Sequence, residues 1–210
     1  MTGVEGLRER KKQRTRETIA RVALDLFAEQ GFHATTIKQV ADAADVAPRT
    51  VSGYFPSKEE LVFPEHDEVF ASLERRLTDR ESGESVADAL RAWIGMLLDR
   101  PEQADRAGMR KRREVIESDE ALRTFERGLM ARAERAIAVA AAVDLGLGPD
   151  DLLPHMVGAA TLSALHALGR ESKRSGVEHE DFRERGLQLL DQTMTFIGAG
   201  VAALAETTRR

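Results

Sequence analysis

The stretch TTIKQVADAADVAPRTVSGYF, residues 35–55, holds two short amphipathic segments separated by a few residues. In the first, apolar residues recur at i, i+3, i+4 and i+7 from Ile37, which is the spacing of one helix face. Thr36 and Gln39 form a capping-box pattern at its start. Segments this short are unstable as isolated helices, so each is expected to pack on its neighbours.

The second segment opens with Pro48, a residue suited to a first helical position, and its buried side is predicted at Val51 and Phe55. Two helices joined by a turn of roughly three to four residues form a helix-turn-helix. That arrangement presents the N-terminal end of its second helix to the DNA major groove. The residues left facing outward are Pro48, Arg49, Thr50, Ser52, Gly53 and Tyr54.

The overall composition fits a soluble helical protein, with 210 residues, a formal net charge of −5 and no cysteine. The charge is uneven, because residues 8–21 carry seven basic side chains against two acidic ones. A basic arm on an otherwise acidic chain is typical of contact with a polyanion at one end, although a solvated flexible terminus has the same pattern. We expect no disulfide, metal site, cofactor, secretory segment or membrane span, and a cytoplasmic location.

Helical periodicity covers nearly the whole chain and predicts an all-α protein of nine helices, a three-helix head followed by a six-helix body. The predicted domain boundary follows residue 56, so the head with its basic arm is residues 1–56 and the body is residues 57–210. The fifth predicted helix ends at Asp99, and Pro64 is expected to kink or restart the fourth. The nine predicted helices begin at Lys11, Thr36, Pro48, Ser57, Ser85, Ala104, Asp119, Leu152 and Asp181.

The segment TTIKQVADAADVAPRTVSGYFPSKEELV (residues 35–62), with the preceding ALDLFAEQGFHATT (residues 23–36), resembles the signature of TetR-family transcriptional regulators. The resemblance implies a three-helix DNA-binding domain and a six-helix body for dimerisation and effector binding. It implies a homodimer, formed through the last two helices, on a near-palindromic duplex operator, with repression relieved by a small molecule. The DNA contacts that it implies are Thr36, Lys38, Pro48, Arg49, Thr50, Ser52, Tyr54 and Lys58.

Three features depart from the common family pattern. Asp45 stands where the turn often has glycine, and Ala47 stands where a capping serine is frequent. Ser52 and Gly53 stand where family members often carry aromatic residues. These departures leave the operator sequence open rather than the fold.

The body offers candidates for two further surfaces. Small residues such as Gly158, Ala160, Gly198 and Gly200 fit a dimer interface or a tightly packed pair of helices within one chain. Apolar residues of the middle helices are candidates for an effector pocket or for plain core. The pocket candidates are Trp93, Met96, Leu97, Met109, Phe125, Met130 and His166.

The effector class stays open between an apolar molecule and an acyl-coenzyme A. The run RKRR at residues 110–113 could bind an anionic effector or form a solvated face with ion pairs. No enzyme is predicted, because the chain lacks a HExxH motif, a Gly-rich phosphate loop and a nucleophile elbow. The alternative function is a DNA-binding regulator without a small-molecule effector, acting as an activator or under control of a partner protein.

Overall fold

The computed structural model describes residues 3–98, 106–174 and 179–208 of the chain. Within these ranges the chain forms nine α-helices, one 3-10 turn at Glu59–Leu61 and no strand, which confirms the predicted all-α class. The predicted helix end at Asp99 and helix start at Ala104 lie outside the described residues. The helices are α1 (Gly3–Gln30), α2 (Ile37–Ala43), α3 (Pro48–Tyr54), α4 (His66–Thr78), α5 (Val86–Leu98), α6 (Arg106–Ser118), α7 (Glu120–Leu145), α8 (Leu152–Arg174) and α9 (His179–Thr208).

The described helices fall into two compact units. The first, called the head unit, takes in the described residues within 1–67 and 105–127. The second, called the body unit, takes in those within 68–104 and 128–210. The head unit therefore includes α6 and the start of α7, which lie beyond residue 56. The division of function at residue 56 stays a prediction.

Helix α1 begins at Gly3, so the predicted start at Lys11 is wrong. Half of the ten residues that precede Lys11 are glutamate, leucine or arginine, which are good helix formers, and none is proline. The predicted end is confirmed, because Gly31 adopts a φ of 89° and stops the helix. Phe32 folds back so that its ring lies 5.1 Å from that of Phe27.

The predicted fourth helix does not begin at Ser57. The Ser57 hydroxyl accepts a hydrogen bond from the Glu60 backbone N–H, at 3.3 Å, as a cap would. Only one 3-10 turn follows, and α4 begins at His66. Pro64 has no N–H to donate and crowds the preceding turn, so the helix restarts beyond it rather than running through.

The core of the head unit joins residues that are distant in the chain. Ile19 of α1, Val40 of α2 and Val51 of α3 are fully buried. Val115 and Ile116 of α6 belong to the same apolar cluster. This burial explains why α6 is part of the head unit. A helix of its length is only marginally stable alone and gains most of its stability in a protein from packing.

The body unit packs α4, α5, α7, α8 and α9 around an apolar core made mainly of leucine, alanine, valine and isoleucine, with Phe70 and Met194. A partly buried ion pair links α7 to the segment just after α4, because the Arg80 guanidinium lies 2.6 Å from the Asp144 carboxylate. Asp144 also accepts a hydrogen bond from the Val86 N–H, at 2.8 Å, at the first residue of α5. This side chain of α7 therefore caps the start of α5.

Candidate nucleic-acid interface

Helix α2 begins with the predicted capping box. The Thr36 N–H donates to the Gln39 side-chain oxygen at 2.8 Å, and the Gln39 N–H donates to the Thr36 hydroxyl at 3.2 Å. Two backbone donors that a short helix would leave unpaired are thereby satisfied. Val40 and Ala41 turn inward, so α2 is fixed against the core of the head unit.

The turn between α2 and α3 keeps its usual geometry despite the absence of glycine. Asp45 adopts a φ of 53° and is the non-glycine residue with positive φ among the described residues. The Val46 N–H donates to the Ala41 carbonyl at 3.0 Å, which is the long bond of a Schellman motif. Aspartate enters the left-handed region more readily than most residues, so the substitution is tolerated here.

Helix α3 starts without a side-chain cap. Ala47 has extended backbone angles and makes no side-chain hydrogen bond, as its methyl group requires. The Thr50 N–H donates to the Ala47 carbonyl at 2.8 Å, and Pro48 occupies the first helical position. Pro48 has no N–H and the Thr50 N–H is paired, so the N-terminal end of α3 presents the Arg49 N–H and a partial positive charge.

The two faces of α3 differ in burial as predicted. Val51 and Phe55 are buried, at 0% and 2% exposure. Arg49 is exposed and has no ion-pair partner among the described residues. Tyr54 is only half-buried, because its ring packs against the apolar cluster of the head unit. Of the outward positions, Pro48, Arg49, Ser52 and Gly53 are exposed, while Thr50 is half-buried like Tyr54.

Gly53 lies on the exposed face of α3 with open space around it. A Cβ atom placed there meets no atom within 4 Å. The backbone of α3 is therefore bare at this position, so a nucleic acid could approach it closely.

The two lysines beside α3 are held differently. The Lys38 ammonium lies 2.8 Å from the Asp42 carboxylate, and this hydrogen bond, with the charge of Asp42, raises the pKa of Lys38 above its ordinary value. The Lys58 ammonium donates to the backbone carbonyls of Phe32 and Thr35, at 2.8 and 3.2 Å. It also lies 4.2 Å from the centroid of the Phe32 ring. Sequence reasoning found both cations but missed the second set of contacts, which joins residues 23 to 26 positions apart.

The basic arm is helical and forms the N-terminal part of α1. Its side chains from Arg8 to Arg14 are exposed, and Lys12 forms a loose ion pair with Glu9 at 3.5 Å. Arg16, the next cation along, is instead half-buried against the head unit. The arm therefore offers a row of solvent-facing cations that ends before Arg16.

The predicted effector-pocket residues are divided between the two units. Met109 and Phe125 belong to the head unit, where the Phe125 ring stacks on Phe63 with centroids 5.4 Å apart. The others belong to the body unit, where the Trp93 ring N–H donates to the Ser72 hydroxyl at 2.9 Å. Exposure is 56% for Met96 and 39% for Met109. Leu97 and Met130 are half-buried and His166 is exposed.

A groove of about 500 Å³ lies within the body unit, between the later part of α4 and α7. Its floor includes Leu77, Ala136 and Val139, and none of the seven predicted pocket residues lines it. Arg132 and Arg80, at its rim, are paired with Glu74 and Asp144. The groove and the predicted pocket are therefore different places.

The run at residues 110–113 forms ion pairs, which agrees with the interpretation of this run as a solvated face. Lys111 lies 2.6 Å from Asp25 on α1, and Arg113 pairs with Glu117 and Glu126. These pairs lie within the head unit. Among the described residues, no group of three or more histidines and carboxylates is placed to hold a metal ion.

Helices α8 and α9 present an exposed apolar face, called here the α8–α9 face. Its large residues are Met156 and Phe196, at 52% and 72% exposure. Its small exposed residues are Ala159, Ala160, Ala167, Ala199, Gly200 and Ala203. Gly158 differs from them, since a Cβ there would lie 2.6 Å from the Glu134 carbonyl oxygen of α7. Among the described residues, no helix combines the length and the apolar character that a membrane span requires.

Comparison with known families gives two matches in chain order. Residues 19–63 match the model of bacterial regulatory proteins of the tetR family. Residues 84–202 match the model of the MftR C-terminal domain. The first match covers α2 and α3 with residues 19–30 of α1, the part of that helix that packs against them.

Two relatives align with most of the chain. The HTH-type transcriptional regulator TcmR of Streptomyces glaucescens is 35% identical over 176 residues, covering 79% of this chain and 76% of the relative. The regulator MftR of Mycobacterium tuberculosis is 29% identical over 168 residues, covering 78% and 84%.

Solved structures show the same fold at low identity. The SmeT–triclosan complex superposes with a TM-score of 0.55 and 24% identity, over 86% of this chain and 90% of that one. NalD of Pseudomonas aeruginosa, the secondary repressor of a multidrug efflux pump, superposes with a TM-score of 0.53 and 18% identity, over 88% and 97%. At these identities the likeness concerns the arrangement of helices.

Proposed function

The chain belongs to the TetR family of bacterial transcriptional regulators, and on that premise we propose that it is a repressor bound to a near-palindromic operator as a homodimer and released by a small-molecule effector. The observation that carries the proposal is the exposed face of α3. Arg49, Ser52 and Gly53 are exposed there, while Val51 and Phe55 anchor the opposite face in the core. A short helix held in this way can enter the major groove by its N-terminal end.

Eight residues are proposed to contact DNA. Arg49, whose guanidinium forms no ion pair with any described residue, is assigned to a base edge, since arginine binds the two acceptors of guanine in parallel. Lys58 has three N–H donors, of which two are used by carbonyls of the head, so one is left for a phosphate. The full set is Thr36, Lys38, Pro48, Arg49, Thr50, Ser52, Tyr54 and Lys58.

The basic arm is proposed to add contacts with phosphates. Arg10 and Lys11 lie on the exposed N-terminal part of α1, with Arg8 and Arg14 at its two ends. Neutralised phosphates release counterions, so each contact makes binding more sensitive to salt. This interpretation is favoured over a merely solvated terminus because the arm is a helix that continues from the DNA-binding head unit.

The dimer is proposed to form through the α8–α9 face. Exposed apolar patches rimmed by polar residues mark interaction sites on soluble proteins. Phe196 offers a large side chain for burial, and the small residues around it, Ala199 and Gly200 among them, let helices approach closely. A twofold dimer would place two copies of α3 on two half-sites about one turn of DNA apart or somewhat more.

The effector is proposed to bind the body unit. The protein is proposed to act in the cytoplasm. Trp93, Leu97 and Met130 are half-buried and could line a site of the body unit. Their apolar character favours an effector with a large apolar part, whether free or attached to coenzyme A. The ion pairs of Lys111 and Arg113 leave less reason to assign residues 110–113 to an anionic group.

The proposal is tested by selecting bound duplexes from random oligonucleotides with the purified full chain. We expect a near-palindromic site, and binding to it that weakens steeply as salt rises. Failure to bind any duplex at low salt would overturn the DNA-binding proposal.

A thermal-shift screen with metabolites then distinguishes a repressor released by a small molecule from a regulator without a small-molecule effector. A stabilising ligand that weakens operator binding supports release, whereas a full screen without one supports the regulator that lacks a small-molecule effector.

A further inference from the structure

Arg16 belongs to the basic run of α1 but not to its exposed row. Its Nε donates to the Pro64 carbonyl at 3.0 Å, and its Nη2 donates to the same oxygen. Its guanidinium carbon lies 5.0 Å from the centroid of the Phe55 ring. By contrast, Arg14 is exposed to solvent two residues earlier. The guanidinium of Arg16 is therefore directed into the head unit.

The two partners of Arg16 occupy particular places. Phe55 is the residue that ends α3, where its N–H donates to the Val51 carbonyl at 2.9 Å and its side chain is 2% exposed. Pro64 lies two residues before His66, the first residue of α4. One guanidinium thus joins α1 to the end of α3 and to the segment that leads into α4.

We propose that Arg16 is a positioning residue for DNA recognition, which sets the orientation of α3 through Phe55 and Pro64 without contacting DNA itself. Hydrogen bonds from a charged donor are stronger than those between neutral groups, and two of them on one oxygen fix the guanidinium plane. That plane lies against an aromatic ring, which adds a cation–π attraction. The orientation of α3 is therefore fixed at its C-terminal end, which leaves its N-terminal end free for the groove.

The link to Pro64 gives this contact a second consequence. A displacement at the start of α4 would move the Pro64 carbonyl, and with it the guanidinium that packs on Phe55. Arg16 would then carry that displacement to α3. The inference rests on the proposed function in one respect, which is that α3 is the helix that contacts DNA.

The test compares Arg16→Ala with Arg14→Ala on the selected operator, over a series of salt concentrations. Loss of a phosphate contact lowers the slope of log affinity against log salt by about one unit, whereas loss of positioning weakens binding at every salt and leaves the slope unchanged. We expect the first result for Arg14→Ala. For Arg16→Ala we expect binding weaker by about tenfold with the wild-type slope, an estimate from the loss of one charged hydrogen-bond contact.

Arg16→Lys provides the conservative variant, since lysine can donate one hydrogen bond to Pro64 but does not match the planar guanidinium. We expect it to recover part of the lost affinity, and the same comparison of slopes applies if Arg16→Ala proves too unstable to assay. The backbone amide signals of Ser52 and Phe55, recorded by NMR on the free protein, should shift in both Arg16 variants and stay in place in Arg14→Ala.

Three results would overturn the inference. They are a slope lowered by one unit in the Arg16 variants, operator affinity equal to wild type, and amide signals of α3 that do not move. The NMR measurement needs no DNA, so it still decides the role of Arg16 if the wild-type chain binds no duplex. In that case the proposed function fails, while the NMR signals of the free protein still show whether Arg16 positions α3.

Discussion

The exposed face of α3 and the α8–α9 face are both accessible, but they are built from opposite chemistry. The first carries Arg49, Ser52 and Gly53, which are charged, polar or bare. The second carries Phe196 and Met156 among alanines and glycines. The polar face suits a hydrated polyanion that presents hydrogen-bonding edges, and the apolar face suits another protein surface that can exclude water. The contrast predicts that each face can be disabled alone.

The largest effect is expected from Phe196→Glu. A carboxylate at the centre of the α8–α9 face should separate the dimer, because burial of an unpaired charge is strongly unfavourable. Loss of the second head should weaken operator binding by about 10²–10⁴-fold, through loss of bivalent attachment. Sedimentation velocity and gel-shift titration measure the two results.

Val143→Glu is the matched control for this substitution. Val143 is an apolar residue of α7 with 73% exposure, against 72% for Phe196. A dimer that survives Phe196→Glu, or that is lost equally in Val143→Glu, would contradict the assignment of the α8–α9 face as the dimer interface.

The next effect concerns the polar face. Arg49→Ala should reduce discrimination between operator variants by about 1–3 kcal/mol if the guanidinium binds a guanine edge. The dimer should be unaffected. Binding measured against a panel of single-base operator variants tests this, and an equal loss on every variant would mean that Arg49 holds a phosphate instead.

The small residues of α8 and α9 give a third comparison. Gly158→Ala should lower the free energy of unfolding by about 1–3 kcal/mol, because its new methyl group would strike the Glu134 backbone. Gly200→Ala should not lower it, since a Cβ there meets no atom within 4 Å and alanine favours a helix. Urea denaturation of both variants is the measurement. Equal destabilisation would mean that Gly200 also serves packing within the chain.

The smallest effect lies away from both faces. The hydrogen bond from Arg76 lowers the pKa of Glu84 below its ordinary value, so this pair stabilises the fold above that value and the contribution is lost as pH falls through the lowered pKa. Glu84→Gln should therefore be less stable than wild type near neutral pH, and the difference should shrink as the solution is acidified below about pH 4. Dimerisation should not change. A difference that widens on acidification would contradict the sign.

Much of the DNA-binding segment was predictable because its signals are local. The capping pattern at Thr36, Pro48 at a first helical position and the burial of Val51 and Phe55 depend on residues within a few positions of one another. The left-handed angle at Asp45 follows from the same short turn. Such features are fixed by backbone sterics and by hydrogen bonds that close within one or two turns of helix.

The features that escaped prediction depend on contacts across the chain. Val115 of α6 is part of the head-unit core, although a single helix pattern does not show which neighbour its apolar side will meet. Arg16 and Lys58 look like any surface cation until their carbonyl partners, at Pro64 and Phe32, are brought near by folding. The seven effector-pocket residues and the eight DNA contacts stay predictions, since they concern molecules other than this chain.

The bare position at Gly53 leaves room for a side chain on the exposed face of α3. A Cβ placed there meets no atom within 4 Å, and alanine or another good helix former would make the short helix a better one, because glycine is a poor helix former. New side chains could therefore be tried against new target sequences at no cost to folding. If α3 contacts DNA as proposed, a single substitution at this position could alter the preferred target sequence while the rest of the head unit stays unchanged.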